Sequence, residues 1–153
     1  MYAAIRIRGN VNLNRDLVKT LESLMLTKVN QLVLIPEDKQ NRKMLDTARA
    51  YITYGEASKE MLAKLIEKRG KVLGDKKVDA EVLKKAGFKN IEELADAVSS
   101  GKINLRETGV KPVFRLRPPR KGHARGGIKK DFTVGGALGY RGEAINQLIG
   151  KMI

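Results

Sequence analysis

Apolar and polar positions along the chain repeat with two different periods. Over residues 1–8 the period is two. Ala3, Ile5 and Ile7 fall on one side and Ala4, Arg6 and Arg8 on the other, which predicts a half-buried strand broken at Gly9-Asn10. Leu17, Val18, Leu21, Leu24 and Met25 then form one helical stripe, with Asn14 at the capping position and Asp16 beside the helix's positive end. Leu32 to Ile35 is a short continuous apolar run stopped by Pro36, a second strand. Asp38 opens a second helix with Met44, Leu45 and Ala48 on its inner face, and Tyr51 to Tyr54 reads as a third strand ended by Gly55. This order predicts an α+β fold, a small three-stranded sheet of β-α-β-α-β order with helices packed on it.

A third helix follows, capped by Ser58, with Met61, Leu62, Leu65 and Ile66 inward and Gly70 as its stop. Residues 1–70 thus read as the core plus this helix. Residues 71–105 read as a helical insert. It holds a polar turn from Lys71 to Lys77, a short helix from Asp79 to Gly87, and another from Asn90 to Gly101 with Glu93 in the capping-box position. Residues 106–153 change character. Pro118-Pro119 prevents a helix, and eight glycines lie between Gly109 and Gly142. So little apolar surface predicts an extended Gly/Arg-rich arm with no core of its own. A last helix starts after Gly142, with Ile145, Leu148, Ile149 and Met152 on one face.

Charge sharpens this division. The 153 residues hold 31 Lys and Arg against 17 Asp and Glu, a net charge of +14. Residues 1–105 carry 20 basic and 14 acidic side chains and residues 106–153 carry 11 and 3, so more than half of the surplus sits in the last third. Such a surplus calls for a polyanion, most often nucleic acid. The bland alternative, a thermophile's charge-rich surface, balances its signs. The absence of cysteine excludes disulfides, thiolate metal sites and a cysteine nucleophile. No run is apolar enough to span a bilayer, and the opening residues lack the pattern of a signal peptide, so a cytoplasmic protein without membrane contact is expected.

The strongest candidate site is the run Arg115, Arg117, Arg120, Lys121, Arg125, Lys129 and Lys130. From Lys111 to Lys130 there are eight basic residues and no acidic one. A basic strand follows closely spaced phosphates and releases a counterion at each, while arginine adds bidentate contacts and stacking on bases. The alternative is a solvated loop without a partner. Phe114, Phe132 and Tyr140 flank the run, as core anchors or as base stackers. The second helix adds Lys39, Asn41, Arg42, Lys43 and Arg49 as RNA contacts, against an ordinary solvated face, and Arg8 and Arg141 complete the expected set. Gly139-Tyr140-Arg141-Gly142 matches the GxxG turn of KH domains only loosely, and a plain turn into a helix serves equally well. The glycines fit neither a P-loop nor a dinucleotide-binding loop. His123 is the sole histidine and sits in the arm, and no carboxylate pair stands out from helix surface charge. No catalysis, metal, cofactor or small-molecule substrate is therefore expected.

Several stretches together resemble one family. They are Ile5-Arg6-Ile7-Arg8-Gly9, Tyr51-Ile52-Thr53-Tyr54-Gly55, Leu65 to Gly70, Phe114-Arg115-Leu116, Arg125-Gly126-Gly127-Ile128-Lys129-Lys130, Gly135-Gly136, and Gly139 to Gly142 ahead of Ile145-Asn146-Gln147-Leu148-Ile149. They are similar to large-subunit ribosomal protein 30 in its long archaeal form, the family of the eukaryotic large-subunit ribosomal protein 7. The resemblance implies a β-α-β-α-β core and a structural, rRNA-binding role in the large ribosomal subunit. It also implies a place near 5S rRNA, with other large-subunit proteins as neighbours. Residues 71–104 match the family least. Three rivals are set against this reading: an assembly factor of the same family acting on pre-ribosomal RNA, an RNA-acting enzyme using His123, and a DNA-compacting protein.

Overall fold

The first strand, β1 (Tyr2–Arg6), lies in the middle of the sheet. It pairs antiparallel with β2 (Gln31–Ile35) on one side and with β3 (Ile52–Glu56) on the other, so that Ala4 faces both Val33 and Tyr54. The computed structural model describes every residue except Asn12, Leu73, Ala86 and Lys102, and of Ala80, Glu81 and Lys85 the backbone alone. The strand-helix-strand-helix-strand order stands as predicted, but the sheet has five strands and not three. β4 (Val113–Arg115) pairs antiparallel with β2, with Phe114 opposite Leu32, and β5 (Gly139–Tyr140) pairs parallel with β3, with Tyr140 opposite Tyr54. The full order is β4-β2-β1-β3-β5. Both added strands come from the arm. They cover the otherwise open edges of β2 and β3, whose backbone groups would be left to pair elsewhere.

Helices lie on both faces of the sheet. α1 (Arg15–Ser23) and α2 (Lys39–Thr47) lay Leu21, Leu45 and Ala48 over Ala4, Val33 and Tyr54. On the other face, α3 (Lys59–Arg69), α4 (Ala80–Lys85), α5 (Ile91–Ser99) and α6 (Ile145–Met152) share a core with Ala3, Ile5 and Leu32. Leu62, Leu83, Leu94 and Ile149 are among their buried side chains, so the insert packs into the main body. Ser58 caps α3 by accepting from the Met61 N–H at 3.3 Å. Glu93 accepts from the Lys89 N–H, one residue before the expected capping position.

Because β1 is covered on both faces, its second face is not solvated. Ala4 is fully buried and Arg6 is 2% exposed, which corrects the half-buried reading. The Arg6 guanidinium is satisfied by main-chain oxygens of Leu26 at 2.6 Å, Thr27 at 2.9 Å and Arg8 at 2.9 Å, and by Asn10 Oδ1. A buried charge is tolerable only with such partners.

The arm has no core of its own, yet it is tied into the common one. Phe114 and Leu116 at its start, and Ala137 and Leu138 near its end, are buried with α3 and α6. Between these anchors, the N–H groups of Arg117 and Arg120 donate to Met152 and Lys151 at 3.0 Å each, and those of Ala137 and Leu138 donate to Lys130 at 3.0 and 3.1 Å. A Cβ on Gly136 would lie 2.1 Å from the Lys130 carbonyl oxygen. This glycine lets two backbone segments of the protein meet. Gly55 does the same inside β3, where a Cβ would lie 2.1 Å from the Gly142 carbonyl oxygen, so Gly55 continues the strand that it was expected to end.

Candidate nucleic-acid interface

The arm leaves one edge of the sheet and returns at the other. The Leu116 N–H donates to Asn30, whose own N–H donates to Arg6, and Gly139 lies opposite Thr53, itself opposite Ile5. Both ends of the arm are therefore fixed beside the Ile5–Arg6 end of β1. Along the bridging segment Arg115, Arg117, Arg120, Lys121, Arg125, Lys129 and Lys130 are all exposed, and none takes part in an ion pair among the described residues. On α2, Lys39, Arg42 and Lys43 are likewise exposed and without an ion-pair partner among the described residues. These ten positions present charge to solvent.

The other four expected contacts hold the frame. Arg8 stacks its guanidinium 4.7 Å above the Tyr51 ring centre and donates to the Ala50 carbonyl at 3.2 Å. Asn41 donates to the Pro36 carbonyl at 3.2 Å and to Asp38 Oδ2 at 3.4 Å, closing the start of α2. Arg49 forms an ion pair with Asp131 of the arm. Arg141 lies 4.5 Å above the Phe132 ring centre and donates to the Ala137 carbonyl at 3.1 Å and to Thr53 Oγ1 at 3.3 Å. Burial lowers the Arg141 pKa from its ordinary value.

The flanking aromatics also divide. Phe114 is fully buried, a core anchor, and Phe132 packs under Arg141. Tyr140 is 49% exposed, and its hydroxyl donates to Glu56 Oε1 at 2.6 Å. That hydrogen bond, with burial and the Glu56 charge behind it, pushes the Tyr140 pKa up to about 12. The loop Gly139 to Gly142 is a two-residue strand and a turn, the plainer of its two readings.

The His123 Nδ1 is buried without a hydrogen-bond partner among the described residues, and burial together with the Arg141 charge lowers its pKa from 6.5. Among the described residues no cluster of His, Asp and Glu is arranged to hold a metal. Among the described residues no helix is long and apolar enough to cross a membrane. A groove of about 900 Å³ between α3 and α5 mixes Glu60, Glu67 and Glu92 with Lys59, Lys64 and Lys89 on its rim.

The family model described as ribosomal protein L30p/L7e matches residues 2–52, the segment from β1 to the start of β3. A second model, the RelA/SpoT AH domain, matches residues 53–108, which hold β3 and the helices α3 to α5. Over the whole chain the similarity is to archaeal proteins. The large ribosomal subunit protein uL30 of Methanococcus vannielii is 47% identical over 152 residues, covering 99% of both chains. That of Nanoarchaeum equitans is 46% identical over 153 residues, covering 100% of this chain and 99% of the other. That of Thermofilum pendens is 44% identical over 155 residues, with 100% and 99% coverage. At 44–47% identity over essentially the whole chain, the chain belongs to the uL30 family of large ribosomal subunit proteins.

Proposed function

We propose that this chain is a structural, non-catalytic constituent of the large ribosomal subunit in the cytoplasm, and that it binds large-subunit rRNA through the arm and the exposed side of α2. The observation that carries the reading is the geometry of the arm. Seven cations point outward from a segment whose two ends are buried in the core, so charge is held in place and not spread through a loose tail. Fixing the backbone beforehand reduces the ordering cost of binding, which otherwise subtracts from affinity. The proposal includes a position near 5S rRNA and contacts with neighbouring ribosomal proteins. Membership of a family of large ribosomal subunit proteins supports the contacts with neighbouring proteins, and the place near 5S rRNA follows from the resemblance described above.

If about six to eight of the exposed cations each neutralise a phosphate, log affinity falls against log salt with a slope of roughly −4 to −7. Replacing Arg120, Lys121, Arg125, Lys129 and Lys130 by alanine is expected to flatten that slope by about 3 to 5 units. A control replacement of Lys64, Lys68, Lys76, Lys77 and Lys84, all exposed on α3 and the insert, removes the same charge. Binding to a large-subunit rRNA transcript and incorporation into large subunits are measured for both. Loss confined to the arm variant supports the reading. Equal loss in the two variants reduces it to net charge.

A further inference from the structure

We propose that Tyr140 is a stacking platform for one unpaired base of the bound RNA, an inference that rests on the rRNA-binding reading above. The proposal starts from how the ring is held. Tyr140 belongs to a two-residue edge strand fixed on both sides: Thr53 Oγ1 donates to the Gly139 carbonyl at 3.0 Å, and the Arg141 N–H donates to the Tyr54 carbonyl at 2.8 Å. The ring itself is braced. Its centre lies 5.5 Å from that of Tyr54, which in turn meets Tyr2 edge to face at 6.1 Å. At its far end the hydroxyl is tied to Glu56 at 2.6 Å. A tyrosine that is half exposed is ordinarily free to turn, but this one is held at backbone, ring and hydroxyl.

A rigid aromatic surface open to solvent is what single-stranded RNA recognition uses, because every base has a π-face and stacking needs no rotamer search. Beyond the Glu56 carboxylate at its hydroxyl, the ring has cations around it. Arg42, exposed on α2, lies near enough for its charge to act on both the Tyr54 and Tyr140 hydroxyls. Arg49 crosses the Gly139 backbone, where a Cβ would come within 3.3 Å of its Nε. Lys129 and Lys130 lead to Asp131, the residue that Arg49 holds. The ring thus stands where the basic face of α2 meets the end of the arm. Phosphates on either side of a stacked base have cations within the same patch. Tyr140 contributes no charge, so its part in binding is separable from that of the cations.

The test uses the full chain and a large-subunit rRNA transcript, with affinity measured over a range of salt. Tyr140→Ala is expected to weaken binding roughly 5- to 150-fold, the range of base-aromatic stacking, with the salt slope unchanged. Tyr140→Phe keeps the ring and loses only the Glu56 bond, so it is expected to bind within about 3-fold of the parent. Ultraviolet cross-linking of the unaltered protein is expected to join Tyr140 to an unpaired nucleotide, a readout that no folding defect can imitate. Wild-type affinity in Tyr140→Ala, or cross-links that never include Tyr140, overturns the proposal. So does normal RNA affinity with failed incorporation into subunits, which would make Tyr140 a contact to a neighbouring protein. If the unaltered chain does not bind the transcript at all, the RNA reading itself falls, a result distinct from any effect of Tyr140.

Discussion

Arg49, in the turn after α2, forms an ion pair with Asp131, 82 positions further along the chain. Asp131 is the sole carboxylate between Lys111 and Arg141. One acid in a basic segment thus clasps it to the turn that follows α2. Arg49 therefore serves the fold of the interface and is not one of its free cations. The neighbouring Gly139 has φ +78° and leaves room for the Arg49 side chain to cross its backbone.

Asp131→Ala releases this clasp. The pair is exposed, with side chains 54% and 34% accessible, so global stability is expected to change by less than about 1 kcal/mol. The local effect is larger. Trypsin is expected to cut faster at Arg125, Lys129 and Lys130, because closure of the arm onto α2 is lost while its core anchors remain. Mass spectrometry of the first fragments checks this, and an unchanged cleavage rate means the pair does not hold the arm.

Phe114 measures how far the arm belongs to the core. It is fully buried, as Leu21 of α1 nearly is at 2%. Leu21→Ala is expected to cost about 2–5 kcal/mol and Phe114→Ala about 3–5 kcal/mol in urea unfolding. A single transition for each variant is expected, because the two residues lie in layers that share the sheet. If Phe114→Ala leaves the main transition in place, the arm is an attachment and not part of the fold.

Much of the fold was legible in the chain's periodicities. The stripes on α1, α3 and α6 and the apolar run of β2 each announce an element, since one buried face needs only a local repeat. β4 and β5 have three and two residues and no repeat, and they exist only because β2 and β3 leave edges to be paired. The burial of Arg6 was hidden for a related reason. Alternation tells which residues share a face but not whether a second layer covers the other one. The signal available was Ala4, a small apolar residue on the supposedly wet face, together with an α1 stripe that required a surface to cover. In the candidate site, residue type located the cations, but the ion pair of Arg49 and the hydrogen bonds of the half-buried Arg141 separate these two from Arg120 and Lys121, which look identical in sequence.

Gly55→Ala places a methyl group against the Gly142 carbonyl oxygen, at 2.1 Å if nothing moves. Backbone, not a flexible side chain, must give way, so destabilisation of about 1–3 kcal/mol or more is expected. Gly9→Ala is the control: nothing lies within 4 Å of its Cβ position, and a change within about 0.5 kcal/mol is expected. Equal melting temperatures for the two variants would mean that β3 and the turn before α6 do not meet as described.

His123 gives the chain a pH dependence of known sign. In the folded protein its pKa is lowered from 6.5, first by burial and then by the charge of Arg141. The unfolded chain keeps the ordinary value. Below about pH 6.5 the unfolded state therefore binds a proton that the folded state resists, and stability falls as the pH drops toward the folded pKa. Above that pH both states are neutral and His123 contributes no slope. Carboxylates also protonate on acidification, so the comparison is made against His123→Gln, which keeps every other group. Between about pH 7 and pH 5 the parent is expected to lose more melting temperature than the variant. Because the chain has one histidine, its imidazole resonance can be followed by NMR without assignment ambiguity. A midpoint below 6.5 agrees with the burial described. A midpoint at or above 6.5, or equal acid sensitivity in parent and variant, would place the His123 ring in solvent and detach this part of the arm from Arg141.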